Sequence, residues 1–376
     1  MDIAPFETEH FFARHEFTTD WQLCNSDCET VSIAELLEMA GDSLEGLGRE
    51  RLGYTQTAGE PALRQAIADI YQQVSPDSVL VLGSPVEGIY LAARALLKPG
   101  DEVVVTVPAY DALVNLCEHV AGPEGVHRWR FRASGSRWAL DLDELRGLLT
   151  PKTRLLVVNF PHNPTGFYPS REWQDQLALM AAEHELAVFC DEMYSGLVHS
   201  GTPPVPSLAD VSDRAVILSG LSKTHGLPGL RCGWLIVNDP VLWGRLHNWK
   251  HYTSICSPVP SVYLSLAALR ARDTLCARNI SRIEHNLTLA DRFFEQWQGL
   301  FDWRRPVAGS TALVGFDVPS VSALSERLAR DQNILIQSAA MLGGSDREMR
   351  LGFGRDNFQE ALGRFDRWLR RNEGRV

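Results

Sequence analysis

Continuous apolar runs, rather than alternating ones, constrain this chain most. Residues 78–82, 102–106, 153–160, 187–190 and 215–218 are each dominated by Val, Leu, Ile, Phe and Ala, and each ends in small or polar residues. Helical periodicity separates most of them, at 87–97, 111–120 and 172–185. A strand with one wet face alternates apolar and polar side chains; a strand buried on both faces does not. The pattern therefore predicts an α/β fold, a mostly parallel sheet with helices on both faces. A further apolar run, 233–237, follows an irregular loop that carries Lys223 and Arg231.

Beyond about residue 240 the pattern changes. Helical segments at 242–251, 259–271 and 280–301 lead into short strands at 311–318, 333–336 and 349–353, which predicts a second, smaller α+β domain. A chain of 376 residues is long for one core. The expected division is a large domain of residues 51–265 and a small one built from 1–50 and 266–376.

Composition narrows the function classes. A net charge of −11 argues against nucleic acid as the main partner. The C-terminal arginines 364, 367, 370, 371 and 375 are interleaved with acids and read as a solvated helix face. With no apolar run of membrane-spanning length and an acidic start (Met1, Asp2, Glu7, Glu9), the expectation is a cytoplasmic protein. The seven cysteines are scattered without a CxxC pair, which fits reduced thiols and no metal site.

Ligands of open α/β sheets sit at the carboxyl ends of the strands. After the first strand, Gly83-Ser84-Pro85-Val86-Glu87-Gly88 is either a plain turn or a phosphate cradle at a helix start, one donor short because Pro85 has no N–H. After the second comes Tyr110, a ring that covers the core or stacks on a ligand. After the third, Asn159-Phe160-Pro161-His162-Asn163-Pro164-Thr165-Gly166 fixes an amide between two prolines. Asp191 and Tyr194 follow the fourth, the aspartate being a helix cap, a metal ligand or the partner of a ligand cation. Lys223 past the fifth is a surface lysine or, if desolvated, a reactive amine.

Taken together, Asn163-Pro164-Thr165-Gly166, Asp191 with Tyr194, Ser222-Lys223 with Arg231 eight residues on, and Arg350 resemble the signature of class I/II aminotransferases, pyridoxal-phosphate enzymes of fold type I. The resemblance implies that pyridoxal 5'-phosphate is the cofactor and that Lys223 forms its Schiff base and moves the α-proton. Asp191 matches the partner of the ring nitrogen, Asn163 and Tyr194 the residues at the ring's phenolate oxygen, and Tyr110 the stacked aromatic. Ser84, Pro85, Val86, Ser222 and Arg231 correspond to the phosphate site. Arg350, with Asn163 and Tyr110, corresponds to the substrate site, Arg350 gripping the α-carboxylate. Tyr54 resembles the tyrosine that reaches the neighbouring subunit's cofactor, which implies a homodimer with shared active sites.

The implied activity is transfer of an amino group between an α-amino acid and a 2-oxo acid. Residues 159–166 and 221–234 are also similar to capreomycidine synthase, so elimination, cyclisation or oxidation of an amino acid is the runner-up, and a non-catalytic binding module a third reading. Two departures stand out. Gly220 occupies the position where a phosphate-binding Ser or Thr is usual, leaving Ser219, Ser222 or Ser84 to supply the hydroxyl. Asn25-Ser26-Asp27 replaces the usual Gly-rich substrate segment. Trp21, Asp27, Glu29 and His225 are unranked candidates for the substrate's side chain.

Overall fold

In a computed structural model, which describes residues 3–372, the apolar runs form one seven-stranded sheet. Met1, Asp2 and Arg375 lie outside the described residues. The strands are β1 (Val79–Leu82), β2 (Glu102–Val107), β3 (Val126–Arg130), β4 (Thr153–Asn159), β5 (Ala187–Asp191), β6 (Ala215–Gly220) and β7 (Gly233–Val237). Their order across the sheet is β1-β7-β6-β5-β4-β2-β3. All neighbours are parallel except β7, which runs antiparallel to both β1 and β6.

The expectation of two covered faces holds residue by residue. Val79, Val81, Val104, Leu156, Val188 and Ile217 face one core, while Leu80, Leu82, Val103, Leu155, Phe189 and Val216 face the other. Successive side chains point to opposite faces, so both faces need apolar residues. β3 is absent from the sequence reading for the same reason: it is the edge strand, and His127, Arg128 and Arg130 put charge where a buried strand carries none.

A second core lies under a four-stranded sheet of β8 (Phe301–Asp302), β9 (Thr311–Phe316), β10 (Gln337–Ser338) and β11 (Glu348–Gly352), ordered β8-β9-β11-β10. The helices α1 (Arg272–Gln296) and α2 (Phe358–Arg371) pack on it through Ile283, Leu287, Phe293, Phe358 and Phe365. The helix expected at 280–301 starts eight residues earlier, directly after the preceding helix, with neither glycine nor proline at the junction. It ends before Gly299, which turns the chain at φ 87°. Residues near the N-terminus join both cores. Leu23 and Cys28 pack in the second, whereas Leu36 and Leu37 pack under the large sheet.

Candidate active site

The carboxyl ends of the parallel strands open into a cavity of about 490 Å³. Lys223 enters it from the loop after β6, and its Nζ donates to Ser26 Oγ at 3.0 Å. Its half-buried position holds the ammonium below its ordinary pKa, because burial disfavours the charged form. The next residue fastens the loop: Thr224 Oγ1 donates to Met193 O (3.1 Å) and to Ser195 O (2.6 Å). Lys223 and the Asp191–Tyr194 turn are thereby held in one register.

Asp191 ends β5 and is buried. Its Oδ1 accepts from Met193 N at 3.0 Å, yet burial still lifts the carboxyl to a pKa of about 6. Tyr194, also buried, has its phenol pushed upward, again by burial first. Asn163 is posed through Asn159 at the end of β4. Asn159 Nδ2 donates to Asp191 O (2.6 Å), and Asn159 Oδ1 accepts from Asn163 N (2.7 Å). The loop is closed into a turn by Gly166 N donating to His162 O (2.8 Å) and His162 N to Phe167 O (2.9 Å).

Arg350, from the middle of β11, is only 1% exposed and yet points into the cavity. Its Nε donates to Cys24 O at 3.1 Å and its Nη1 to Asn163 Oδ1 at 3.4 Å. Among the described residues, Nη2 has no partner. A buried guanidinium with an unmatched donor is a site for an anion such as a carboxylate. Residues 25–28 reach this position because β11 ends in Gly352, where a Cβ would collide with Asn25 O.

At the opposite end of the cavity, Pro85, Val86, Ser222 and Arg231 line the wall. Of the three hydroxyls weighed from sequence, only Ser222 faces the cavity, and its buried Oγ has no partner among the described residues. Ser219 Oγ is turned to Glu192 O (3.3 Å), and Ser84 lines an adjacent, more open cavity. Pro85 has no N–H and Glu87 N donates back to Ser84 O (3.2 Å), so Val86 supplies the main-chain donor of the first helical turn. Gly220 has a steric reason. A Cβ there would sit 2.8 Å from Cys232 O and 3.0 Å from Pro85 Cγ, so the proline that removes a donor also excludes the usual hydroxyl.

Tyr110 lines the cavity and donates through its hydroxyl to Glu9 Oε1 at 2.7 Å. Tyr54 does not reach the cavity of its own chain and is 96% exposed. Of the candidates for the substrate's side chain, Asp27 lines the cavity; Trp21, Glu29 and His225 do not. Trp21 instead lies under the Arg364 guanidinium, and His225 is buried with its pKa lowered to about 4 by desolvation.

Sequence reasoning missed one wall altogether. The short helix Glu7–His15 and its flanks lay Phe6, Thr8, Glu9, Phe12 and Glu16 over the mouth. The available signal was the spacing of Glu9, Phe12 and Glu16, three and four residues apart and hence on one helical face. The segment is pinned by Thr8 N donating to Asp111 Oδ2 (3.1 Å) and by the Phe6 ring against Tyr110, centroids 5.1 Å apart.

The set fits the phosphorylated pyridine aldehyde implied by the sequence. It offers a desolvated amine, a buried carboxyl on the cavity wall, an aromatic ring and an unmatched hydroxyl beside an arginine. Comparison with known proteins agrees. Residues 20–362 match the family described as aminotransferase class I and II. Capreomycidine synthase from Streptomyces vinaceus is 32% identical over 326 residues, covering 84% of this chain and 82% of that one. A PLP-dependent aminotransferase from Streptococcus suis 89-1591 superposes with a TM-score of 0.91 at 26% identity, covering 99% of both chains. The PLP-dependent cyclase OrfR superposes equally well, TM-score 0.91 at 26% identity over 99% of this chain and 98% of that one.

Proposed function

This chain belongs to the class I and II aminotransferase family of pyridoxal-phosphate enzymes, and from that premise we propose that it transfers an amino group between an α-amino acid and a 2-oxo acid. The single observation that carries the reading is the convergence in one cavity of Lys223, Asp191 and an Arg350 guanidinium with an unmatched donor.

Bound pyridoxal phosphate supplies an electron sink for the pair of electrons left when the α-proton is removed. The protein's part begins at Arg350, whose free Nη2 and buried setting hold the substrate carboxylate and so orient the α-carbon. Lys223 takes the α-proton and returns it; its lowered pKa keeps more of the amine neutral and able to act as a base. Asp191 would hold a proton on the ring nitrogen of the bound cofactor. A cation beside it stabilises the carboxylate, opposing the upward push of burial. Ser222, Arg231 and the Val86 amide would hold the cofactor's phosphate, and Asn163 and Tyr194 would hold its phenolate oxygen.

Two relatives favour a second reading, elimination, cyclisation or oxidation of an amino acid, because one is named a capreomycidine synthase and another a PLP-dependent cyclase. A single turnover without a 2-oxo acid separates them. Transamination releases a 2-oxo acid and leaves the amino nitrogen on the enzyme-bound cofactor. A rearranged amino acid with the cofactor returned to its starting absorbance spectrum would overturn it. The reading also takes the enzyme as a cytoplasmic homodimer in which Tyr54 reaches the neighbouring cofactor. Its high exposure and the lack of any role in its own cavity support that placement.

A further inference from the structure

Once the cofactor and the substrate's α-carboxylate are assigned, the charges facing the cavity do not balance. Its cationic side chains are Lys223, Arg231 and Arg350, which the proposed chemistry uses for the amine, the phosphate and the carboxylate. Asp191 is used for the ring nitrogen. Glu9, Glu16 and Asp27 remain, all on the side of the N-terminal segment. Asp27 is partly neutralised, since both its oxygens accept from Arg355 Nη2 at 3.0 and 2.9 Å, although Glu29 also lies 3.7 Å from that guanidinium. Glu9 accepts from Tyr110. The Glu16 carboxylate has no hydrogen-bond or ion-pair partner among the described residues. Burial and the neighbouring Asp27 push its pKa up, while Arg355 and Lys223 act in the opposite direction.

A second observation points the same way. Asn25 is 5% exposed and lines this cavity, and its Oδ1 has no partner among the described residues. A buried acceptor left unmatched in the same cavity as an unpaired carboxylate calls for a donor from a ligand. A distal carboxylate would do the reverse, meeting Glu9 and Glu16, while the neighbouring Arg355 is already engaged by Asp27.

We propose that Glu16, together with Asn25 Oδ1 and Asp27 in the same cavity, receives a cationic group at the far end of the substrate's side chain, so that the amino acid used carries a guanidinium or an ammonium there. The inference rests on the reading that the cavity binds an amino acid at Arg350, and it assigns the N-terminal segment to substrate selection.

The test follows the visible absorbance of the bound cofactor in single turnovers of holoenzyme, a signal that responds whichever product forms. Arginine is compared with its neutral isostere citrulline, lysine with norleucine, and glutamate serves as the acidic probe. The expected result is a preference of at least about tenfold for the cationic member of one pair, with glutamate poorest; the preferred pair distinguishes guanidinium from ammonium. Glu16→Gln should reduce that preference by about tenfold, and Glu7→Gln, exposed at the start of the helix that Glu16 follows, should leave it intact. A wild-type preference for neutral or acidic amino acids overturns the proposal. So does a Glu16→Gln variant that keeps the preference or slows every substrate alike. Holoenzyme that responds to no amino acid overturns the underlying reading and this inference together, whereas a response confined to non-cationic substrates overturns this inference alone.

Discussion

Lys223 shows how little a single residue type says and how much its surroundings decide. On a solvated loop its amine stays protonated; at the end of β6 burial lowers its pKa, and Thr224 fixes its register against the Asp191 turn. Lys223→Ala is expected to fold, by circular dichroism, and to bind the cofactor without borohydride fixing it to the protein. Turnover should fall at least about a thousandfold, since nucleophile and base vanish together. Its neighbourhood holds a second titrating group. Glu192 is buried, accepts from Ser207 Oγ and Leu208 N at 3.0 Å each, and has its carboxyl pushed up from 4.5 to about 7 by burial. The folded protein thus holds this proton more tightly than the unfolded chain. Its stabilising contribution is complete below about pH 4.5 and is lost as the pH rises through 7. Glu192→Gln mimics the protonated form, so its stability advantage over wild type should grow from pH 5 to pH 8, to at most about 3 kcal/mol, in denaturant titrations.

At the level of elements, the helix Pro85–Leu96 seats directly on the end of the sheet, and three residues fit one another there. Pro85 presses on Gly220 of β6 and on Gly233 of β7, where a Cβ would come within 3.0 Å of the proline ring. Restoring the usual hydroxyl by Gly220→Ser should therefore weaken cofactor binding and cost about 1–3 kcal/mol of stability, measured by cofactor titration and urea unfolding. That contact also marks where the sequence stops being legible. Buried strands, their order of apolar runs and the polar residues at their ends can be read directly, because burial on two faces leaves a one-dimensional trace. Tyr110, Asn163, Asp191, Tyr194 and Lys223 follow such strand ends, whereas Arg350 is indicated only by the family resemblance; all six line one cavity. The Pro85–Gly220 fit and the charged edge strand β3 leave no such trace, and the Glu7–His15 helix leaves only the helical spacing of Glu9, Phe12 and Glu16. Each is defined by a partner more than one hundred residues away, or by having none on one side.

For the whole molecule, the exposed apolar side chains are the feature to explain. Leu52, Tyr54 and Tyr252 are 83%, 96% and 79% exposed, and Thr55 Oγ1 donating to Ser257 O (2.7 Å) draws their two segments together. Apolar surface of this kind suits a partner copy. In sedimentation equilibrium, the pair Leu52→Glu and Tyr252→Glu should shift the protein to monomer. Tyr54→Phe should stay dimeric and raise the cofactor's dissociation constant about tenfold, the worth of one lost hydrogen bond. The N-terminal helix has a different reach: it is tied to the helix Asp111–Ala121 at Asp111 and, through Arg14 and His15, to Glu326 of the helix Val321–Gln332. The groups over the mouth thus belong to about sixteen residues that contain none of the groups assigned to proton transfer or phosphate binding. Chimeras exchanging that stretch between relatives can retune which amino acids are accepted while the reaction itself is inherited unchanged, and lineages can diverge by the same route.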